Sequence, residues 1–447
     1  MMRMFSFTRF RQLGLLFVFM ALILCCIGLP TLATSPFNAK SLTATIDFSV
    51  NAPQKNMSGF LHGLGRNTPS DALILPLKPA LWRISSKDNH TYTRALQVGA
   101  QVEIVISDAY GYPLNHWYGH GAPWENNWTH WEAYVRQLAR QYRGQPVYWD
   151  IWNEPDTREW NRAQFWNGTQ QQYFETYKRA YLILREELGS TAMIGGPSYA
   201  NYTQPDLAAF LSYCNQHNLE VNFLSWHELM QADFAIPAVA QHITDMRQLA
   251  STYPKLRMQK ILINESVGPK TTYFPGDILG FLYYMEKGGA DGANRACWND
   301  SKGRNNCFNQ SLDGLIDTET NLPRAAWWAY KTYADGIASR VKTTANSPNL
   351  VVMASKSPAQ VLIGYLGQNE TNPAQVTIHL YNLGLIGQTG DHLKVTVCKA
   401  PTTGEAPLAT LLPVNTVNVA VTQGGAATLV IPAMQLHEEY VLKLLPQ

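Results

Sequence analysis

Two glutamates in this chain sit where acid–base chemistry can be done. Glu154 lies in Tyr148-Trp149-Asp150-Ile151-Trp152-Asn153-Glu154-Pro155-Asp156, directly after an amide, at the end of an apolar run that begins at Val147. That run reads as a short strand buried on both faces, and Pro155 ends the ladder because it has no N–H to donate. A carboxylic acid placed there among aromatic rings suits protonation of a departing sugar oxygen. One carboxyl group does not hydrolyse a glycoside by the usual route, which takes a pair. The second candidate is Glu265, in Lys260-Ile261-Leu262-Ile263-Asn264-Glu265-Ser266, again a short apolar run ending in Asn-Glu. A glutamate after a strand is also a common solvated loop residue, and Asn-Glu alone is a weak signal; the two settings support one another.

Carboxylates so far apart in sequence meet only if the fold brings strand ends together. From Leu81 to Arg340, short apolar runs bounded by turn residues alternate with longer helical patterns, as in parallel strands joined by crossover helices. Eight candidate strands follow: the Gly59 to Gly65 region, Leu81–Ser85, Val102–Ser107, Val147–Trp152, Ala192–Gly195, Val221–Trp226, Lys260–Asn264 and Gly292–Trp298. Outer helices are expected over Trp131–Tyr142, Tyr173–Leu188, Ala238–Tyr253 and Ile278–Lys287. The economical solution is an α/β fold, a (β/α)8 TIM barrel over residues 59–340, whose strand ends converge on one face. After Val341 the pattern changes to alternation, with strands expected at Val361–Leu366, Val376–Leu383, Leu393–Cys398, Val417–Val421, Ala427–Ile431 and Tyr440–Leu444. Residues 341–447 therefore read as a β-sandwich. A strand within residues 34–58, where Leu42, Ala44, Ile46, Phe48 and Val50 alternate with polar residues, is expected to join that C-terminal sheet.

Composition narrows the class. Charged residues are 15% of the chain, against about 25% in average usage, while the 13 Trp and 22 Tyr are plentiful. A net charge of +2 gives no electrostatic case for nucleic acid. Surplus aromatic rings fit sugar stacking, with a large core as the plain alternative. Residues 1–33 carry Arg3, Arg9 and Arg11, an apolar run from Leu13 to Leu29, and then small residues, so an export signal is expected; an uncleaved membrane anchor is the alternative. Outside that segment there are four cysteines. Cys297 and Cys307 bracket a polar loop that a disulfide could close in an oxidising compartment, and Cys214 reads as a buried small hydrophobe. No Gly-x-Ser-x-Gly elbow, phosphate-cradling loop or zinc helix occurs, and no cofactor is expected.

Taken together these residues resemble glycoside hydrolase family 39 of clan A, the family of β-xylosidases, α-L-iduronidases and exopolysaccharide glycosidases. The resemblance runs through Trp82-Arg83, Asp150 to Asp156, Phe165-Trp166, Tyr173 to Tyr177, Gly195-Gly-Pro197, Phe210 to Cys214, Val221 to Ser225 with His227, and Ile263-Asn-Glu265. It implies an exported retaining hydrolase of β-linked glycosides or polysaccharide, with Glu154 as acid/base and Glu265 as nucleophile. Their carboxyl groups would then lie about 5 to 5.5 Å apart. It further implies that Arg83 holds Glu265 ionised while Glu154 is kept protonated by burial. Asn153 would meet the sugar 2-hydroxyl, His227 would support the site near Glu265, and Trp298 would floor the reacting subsite. The sequence departs from the family at Leu229, where a tyrosine that bonds the nucleophile is common. A non-catalytic carbohydrate-binding protein on the same scaffold is the alternative that this departure raises. The third-strand loop holds His116, Trp117, Tyr118, His120, Trp124, Trp128 and Trp131, read as a glycan-stacking wall in which Trp117 and Trp124 contact substrate. His116 and His120 are not read as a metal pair, because Gly119, Gly121 and Pro123 oppose the helix such spacing needs.

Overall fold

The computed structural model describes residues 40–85, 89–107, 123, 128–156, 165–229, 233–367 and 373–447. The expected signal segment, and the His116, His120, Trp117 and Trp124 positions, lie outside the described residues. Residues 39–447 form one compact unit.

The chain enters with strand β1 (Lys40–Asn51) and then lays down eight parallel strands: β2 (Gly59–Leu61), β3 (Leu81–Ser85), β4 (Gln101–Val105), β5 (Val147–Asp150), β6 (Met193–Tyr199), β7 (Phe223–Glu228), β8 (Lys260–Ser266) and β9 (Gly292–Arg295). They pair strictly in chain order, β2 to β9. The two end strands also approach each other: a Cβ on Gly59 would fall 2.0 Å from the Ala293 carbonyl oxygen. Only a residue without a side chain permits that approach, so the parallel sheet is nearly closed into a barrel. Each expected strand appears within a few residues of its place. The crossover helices Trp128–Gln141, Gln170–Leu188, Val239–Ser251 and Pro275–Gly288 each present an apolar stripe to the sheet, such as Trp131, Val135 and Leu138 in the first. Thr169 caps the second, accepting from the Gln172 N–H while the Gln172 side chain returns to the Thr169 N–H, a reciprocal pair that fixes where the helix starts.

Period-two alternation decides what fills the barrel. Leu81, Phe223 and Leu262 come from the entering ends of their strands and, with Tyr148, make a small apolar cluster separate from the main core. Two residues further along the same strands stand Arg83, Asp150, Ser225 and Asn264, all buried and all polar. A greasy plug thus underlies a charged layer, and the strand ends above that layer carry the candidate site.

After a short hairpin of β10 (Ile316–Asp317) and β11 (Leu322–Pro323), the rest of the chain adds β12 (Arg340–Ala345), β13 (Leu350–Lys356), β14 (Ala359–Tyr365), β15 (Ala374–Tyr381), β16 (His392–Ala400), β17 (Leu412–Ala420), β18 (Ala427–Met434) and β19 (Glu439–Leu445). The sandwich expectation is modified here. These strands and β1 form one continuous nine-stranded sheet, in the order β17-β16-β19-β14-β13-β12-β1-β15-β18, in place of two separate ones. Strand β1 makes it continuous, pairing antiparallel with β12 and parallel with β15. Its Leu42, Ala44, Ile46 and Phe48 enter this sheet's own core, as the alternation predicts. Strands β12 and β13 are not legible as alternation, because β13 (Leu-Val-Val-Met-Ala-Ser-Lys) is buried along almost its whole length and so has no polar face.

Candidate active site

Glu154 and Glu265 reach one place from opposite parts of the barrel. Glu154 follows β5, the fourth barrel strand, and Glu265 lies in β8, the seventh. One carboxylate oxygen of each, together with a ring nitrogen of His227, fall within 4.8 Å of one another. The Glu154 backbone is held at φ +48°, a left-handed conformation that costs a non-glycine residue about 1 kcal/mol or more and persists only where surroundings impose it. Here the Glu154 N–H donates to the Ser198 carbonyl at 2.9 Å. That bond ties the end of the fourth strand to the fifth and aims the side chain.

Beneath the pair lies Arg83, which donates from Nη1 to Glu265 Oε1 at 2.9 Å. It also donates from Nε and Nη2 to Asp150 Oδ2 at 3.1 and 2.7 Å, and from Nη2 to Asn153 Oδ1 at 2.9 Å. Its planar fork thereby sets three side chains at once. Ser198 and Asn264 complete the layer: the Ser198 hydroxyl donates to Asp150 Oδ1 at 2.7 Å, and the Asn264 amide donates to Ser198 Oγ at 3.0 Å and to the Glu103 carboxyl. One guanidinium thus faces three carboxyl groups, with Glu103 Oε1 3.7 Å from Arg83 Nε. Burial, and then the Asp150 charge, push the Glu103 carboxyl well above the usual carboxylate range. Burial thus favours the protonated form of Glu103, while Asp150 and Glu265 take the direct hydrogen bonds of the guanidinium.

His227 differs from expectation. Its Nδ1 lies 2.9 Å from Glu154 Oε1, so the residue it bonds is the candidate acid, although the Glu265 charge is close enough to act on it. Burial lowers the His227 ring to about 4, and it is neutral above that. Its Nε2 has no hydrogen-bond partner. A buried lone pair without a partner costs less than a stranded N–H, so the favoured tautomer carries its proton on Nδ1 and donates to Glu154.

Arg83 and His227 are therefore supports of the pair, not substrate contacts. Their side chains are 1% and 0% exposed, whereas Glu265 and Glu154 keep 16% and 11%. Both lie behind the carboxylates and position them. Asn153 has its Oδ1 committed to Arg83 and its backbone N–H to Ser107 Oγ at 3.0 Å, which leaves the amide N–H to offer a sugar hydroxyl. Trp298 stands just beyond β9, half-buried, with its indole N–H on the Val267 carbonyl at 3.0 Å. Leu229 has no donor to offer Glu265. The adjacent Glu228 is buried and turned to Trp226 and His242, at 2.7 and 2.9 Å. A cavity of about 390 Å³ opens beside Pro155 and Asp156, lined also by Tyr173, Tyr199, Tyr202 and Asp206.

Glu154, His227 and Glu265 are the group whose donor atoms lie close enough to hold a metal among the described residues. The Arg83 guanidinium, 2.9 Å from one would-be ligand oxygen, places a fixed positive charge where a second cation would have to sit, and the His227 nitrogen is already bonded to Glu154.

Residues 96–266, which include both glutamates, match the family model for glycosyl hydrolases family 39. Over that stretch the chain is similar to family 39 sequences. Within the known proteins, a β-xylosidase of Caldicellulosiruptor saccharolyticus is 28% identical over 121 residues, or 25% of this chain. The alignment spans 23% of that relative's length. Among solved structures, N2152 from Neocallimastix frontalis superposes with a TM-score of 0.72 at 20% identity, covering 91% of this chain and 100% of that one. A GH39 enzyme from Xanthomonas axonopodis pv. citri gives 0.61 at 16% identity, covering 93% and 99%. These superpositions extend the shared fold beyond residues 96–266 to nearly the whole described chain.

Glu103, Asp150, Ser198 and Asn264 do not stand out as site residues in the sequence. The available signal was a carboxylate inside an otherwise apolar strand, Val102-Glu103-Ile104-Val105 and Val147-Tyr148-Trp149-Asp150, since a buried acid requires partners. The bridge between Cys297 and Cys307 is formed, with Cα atoms 5.1 Å apart, and Cys214 is buried.

Proposed function

We propose that the protein is an O-glycosyl hydrolase that cleaves β-linked glycosides or polysaccharide by double displacement with retention. The observation carrying this reading is the approach of a Glu154 oxygen and a Glu265 oxygen to within 4.8 Å. That separation fits the spacing of about 5 to 5.5 Å in retaining enzymes, whereas inverting ones hold their carboxyl groups roughly 6.5 to 9.5 Å apart to admit a water. In the first step Glu265 attacks the anomeric carbon while the glycosidic bond breaks and Glu154 gives its proton to the leaving oxygen. A glycosyl ester on Glu265 results. In the second step water attacks the same carbon, Glu154 takes the proton, and the ester bond to Glu265 breaks. Arg83 supports the first step by compensating the charge on Glu265, and His227 holds Glu154 toward the leaving oxygen. Asn153 offers its amide to the 2-hydroxyl, where hydrogen bonds strengthen in the transition state. Export follows from the basic and apolar residues 1–33 and belongs to this proposal.

The test compares wild type with Glu154→Gln and Glu265→Gln on aryl β-xylosides and on glycans, with a 2-fluoro sugar to trap the ester. Both variants should lose at least about 10³-fold in kcat/KM, a loss of roughly 4 kcal/mol of transition-state stabilisation. The adduct should map to Glu265. Equal rates in all three proteins would end the proposal. A second reading, a carbohydrate-binding protein without turnover, is favoured by Leu229 in place of the hydroxyl; tight oligosaccharide binding with neither cleavage nor adduct would establish it.

A further inference from the structure

Phe308 is the most exposed large apolar side chain among the described residues, at 64%. Its ring stacks on that of His62, with centroids 5.2 Å apart and planes at 25°. His62 directly follows β2, the first barrel strand, so the stacked pair sits at the same strand ends as the candidate site. The loop holding Phe308 is also tied down on several sides. The Cys297–Cys307 bridge joins the residue before Trp298 to the residue before Phe308. The Asn306 N–H reaches the Trp298 carbonyl at 3.3 Å. The Glu405 carboxylate, from the segment after β16, accepts from the Ser301 N–H and hydroxyl, each at 2.7 Å. An aromatic ring presented to solvent on so rigid a loop binds a ligand without a further ordering cost.

We propose that Phe308, backed by His62, forms an outer sugar subsite for the pyranose unit preceding the one transferred to Glu265. The side follows from topology. Glu154, the proton donor, comes from the fourth barrel strand and marks the leaving-group side, whereas Trp298 and Phe308 follow the eighth strand, and Phe308 stacks on His62 after the first, across the mouth. The ring of Phe308 suits the apolar C–H face of a pyranose. The enzyme then prefers chains with at least two sugars ahead of the scissile bond and releases disaccharides or longer units. This inference rests on the glycosidase reading above.

The test uses aryl β-xyloside and aryl β-xylobioside with the wild type, Phe308→Ala and Phe308→Tyr. The wild type should favour the disaccharide glycoside in kcat/KM by about 10-fold, or roughly 1.4 kcal/mol. Phe308→Ala should bring the ratio close to unity, chiefly through KM, and Phe308→Tyr should restore it. Calorimetry of xylobiose with Glu154→Gln, alone and combined with Phe308→Ala, should show the same loss in affinity. A wild-type ratio near one, or an equal loss on both glycosides, overturns the subsite and leaves the glycosidase reading standing. Absence of both hydrolysis and binding overturns the two together.

Discussion

Replacing His227 by Asn probes how burial tunes the candidate acid. The ring is fully buried, and burial depresses its folded value to about 4 from 6.5. The folded protein therefore binds fewer protons than the unfolded chain between those values, so stability is complete above the unfolded value and falls as pH drops toward the folded one. A tenfold change in proton affinity is worth about 1.4 kcal/mol, so a drop from 6.5 to about 4 corresponds to about 3.4 kcal/mol in full and about 2 kcal/mol by about pH 5. Asn cannot titrate, and every other group is common to both proteins, so the difference between their unfolding free energies isolates this residue. Denaturant unfolding at about pH 8 and about pH 5 should show the wild type losing roughly 2 kcal/mol more than His227→Asn on acidification. In turnover, His227→Phe removes the donor 2.9 Å from Glu154 and should lower kcat/KM about 2- to 10-fold, as expected for the loss of one hydrogen bond to an uncharged acid. Parallel pH dependences in wild type and His227→Asn, agreeing within about 0.5 kcal/mol, would refute the argument that burial sets this ring's protonation.

Other substitutions test neighbouring parts. Glu103→Gln should leave unfolding free energy at neutral pH unchanged or slightly higher, because burial and the Asp150 charge favour the protonated form of the carboxyl it replaces; a loss above about 2 kcal/mol would refute this. Arg83→Met should cost about 3–5 kcal/mol of stability by stranding the Asp150 carboxylate, while Arg83→Met combined with Asp150→Leu should recover much of it in a double-mutant cycle. Glu439 is fully buried, bonded to Thr332 Oγ1 at 2.5 Å and pushed up to about 8 by burial. Its raised value means stability is complete below the unfolded value and is lost as pH rises, so Glu439→Gln should gain on wild type by about 4 kcal/mol between about pH 4.5 and 8. Identical pH profiles in chemical unfolding would discard that assignment.

Much of this architecture is legible in the amino-acid order because each element is fixed locally. Apolar runs bounded by turn residues mark all eight barrel strands, and β1 announces itself through the alternation of Leu42, Ala44, Ile46 and Phe48. Glu154 and Glu265 are readable because an acid following an amide at the end of a buried strand is an unusual pairing of charge with apolar context. Tertiary structure alone decided the relations among them. Which carboxylate His227 serves depends on a bulge between Trp226 and His227 opposite Ile263 and Glu265, and sequence spacing has no access to such a register shift. Likewise Glu103 and Asp150 become one electrostatic unit with Arg83 only when neighbouring strands turn these residues into the barrel. Strand order and twist set which groups share a charge, and a protonation state is a property of that shared field, not of any residue read singly.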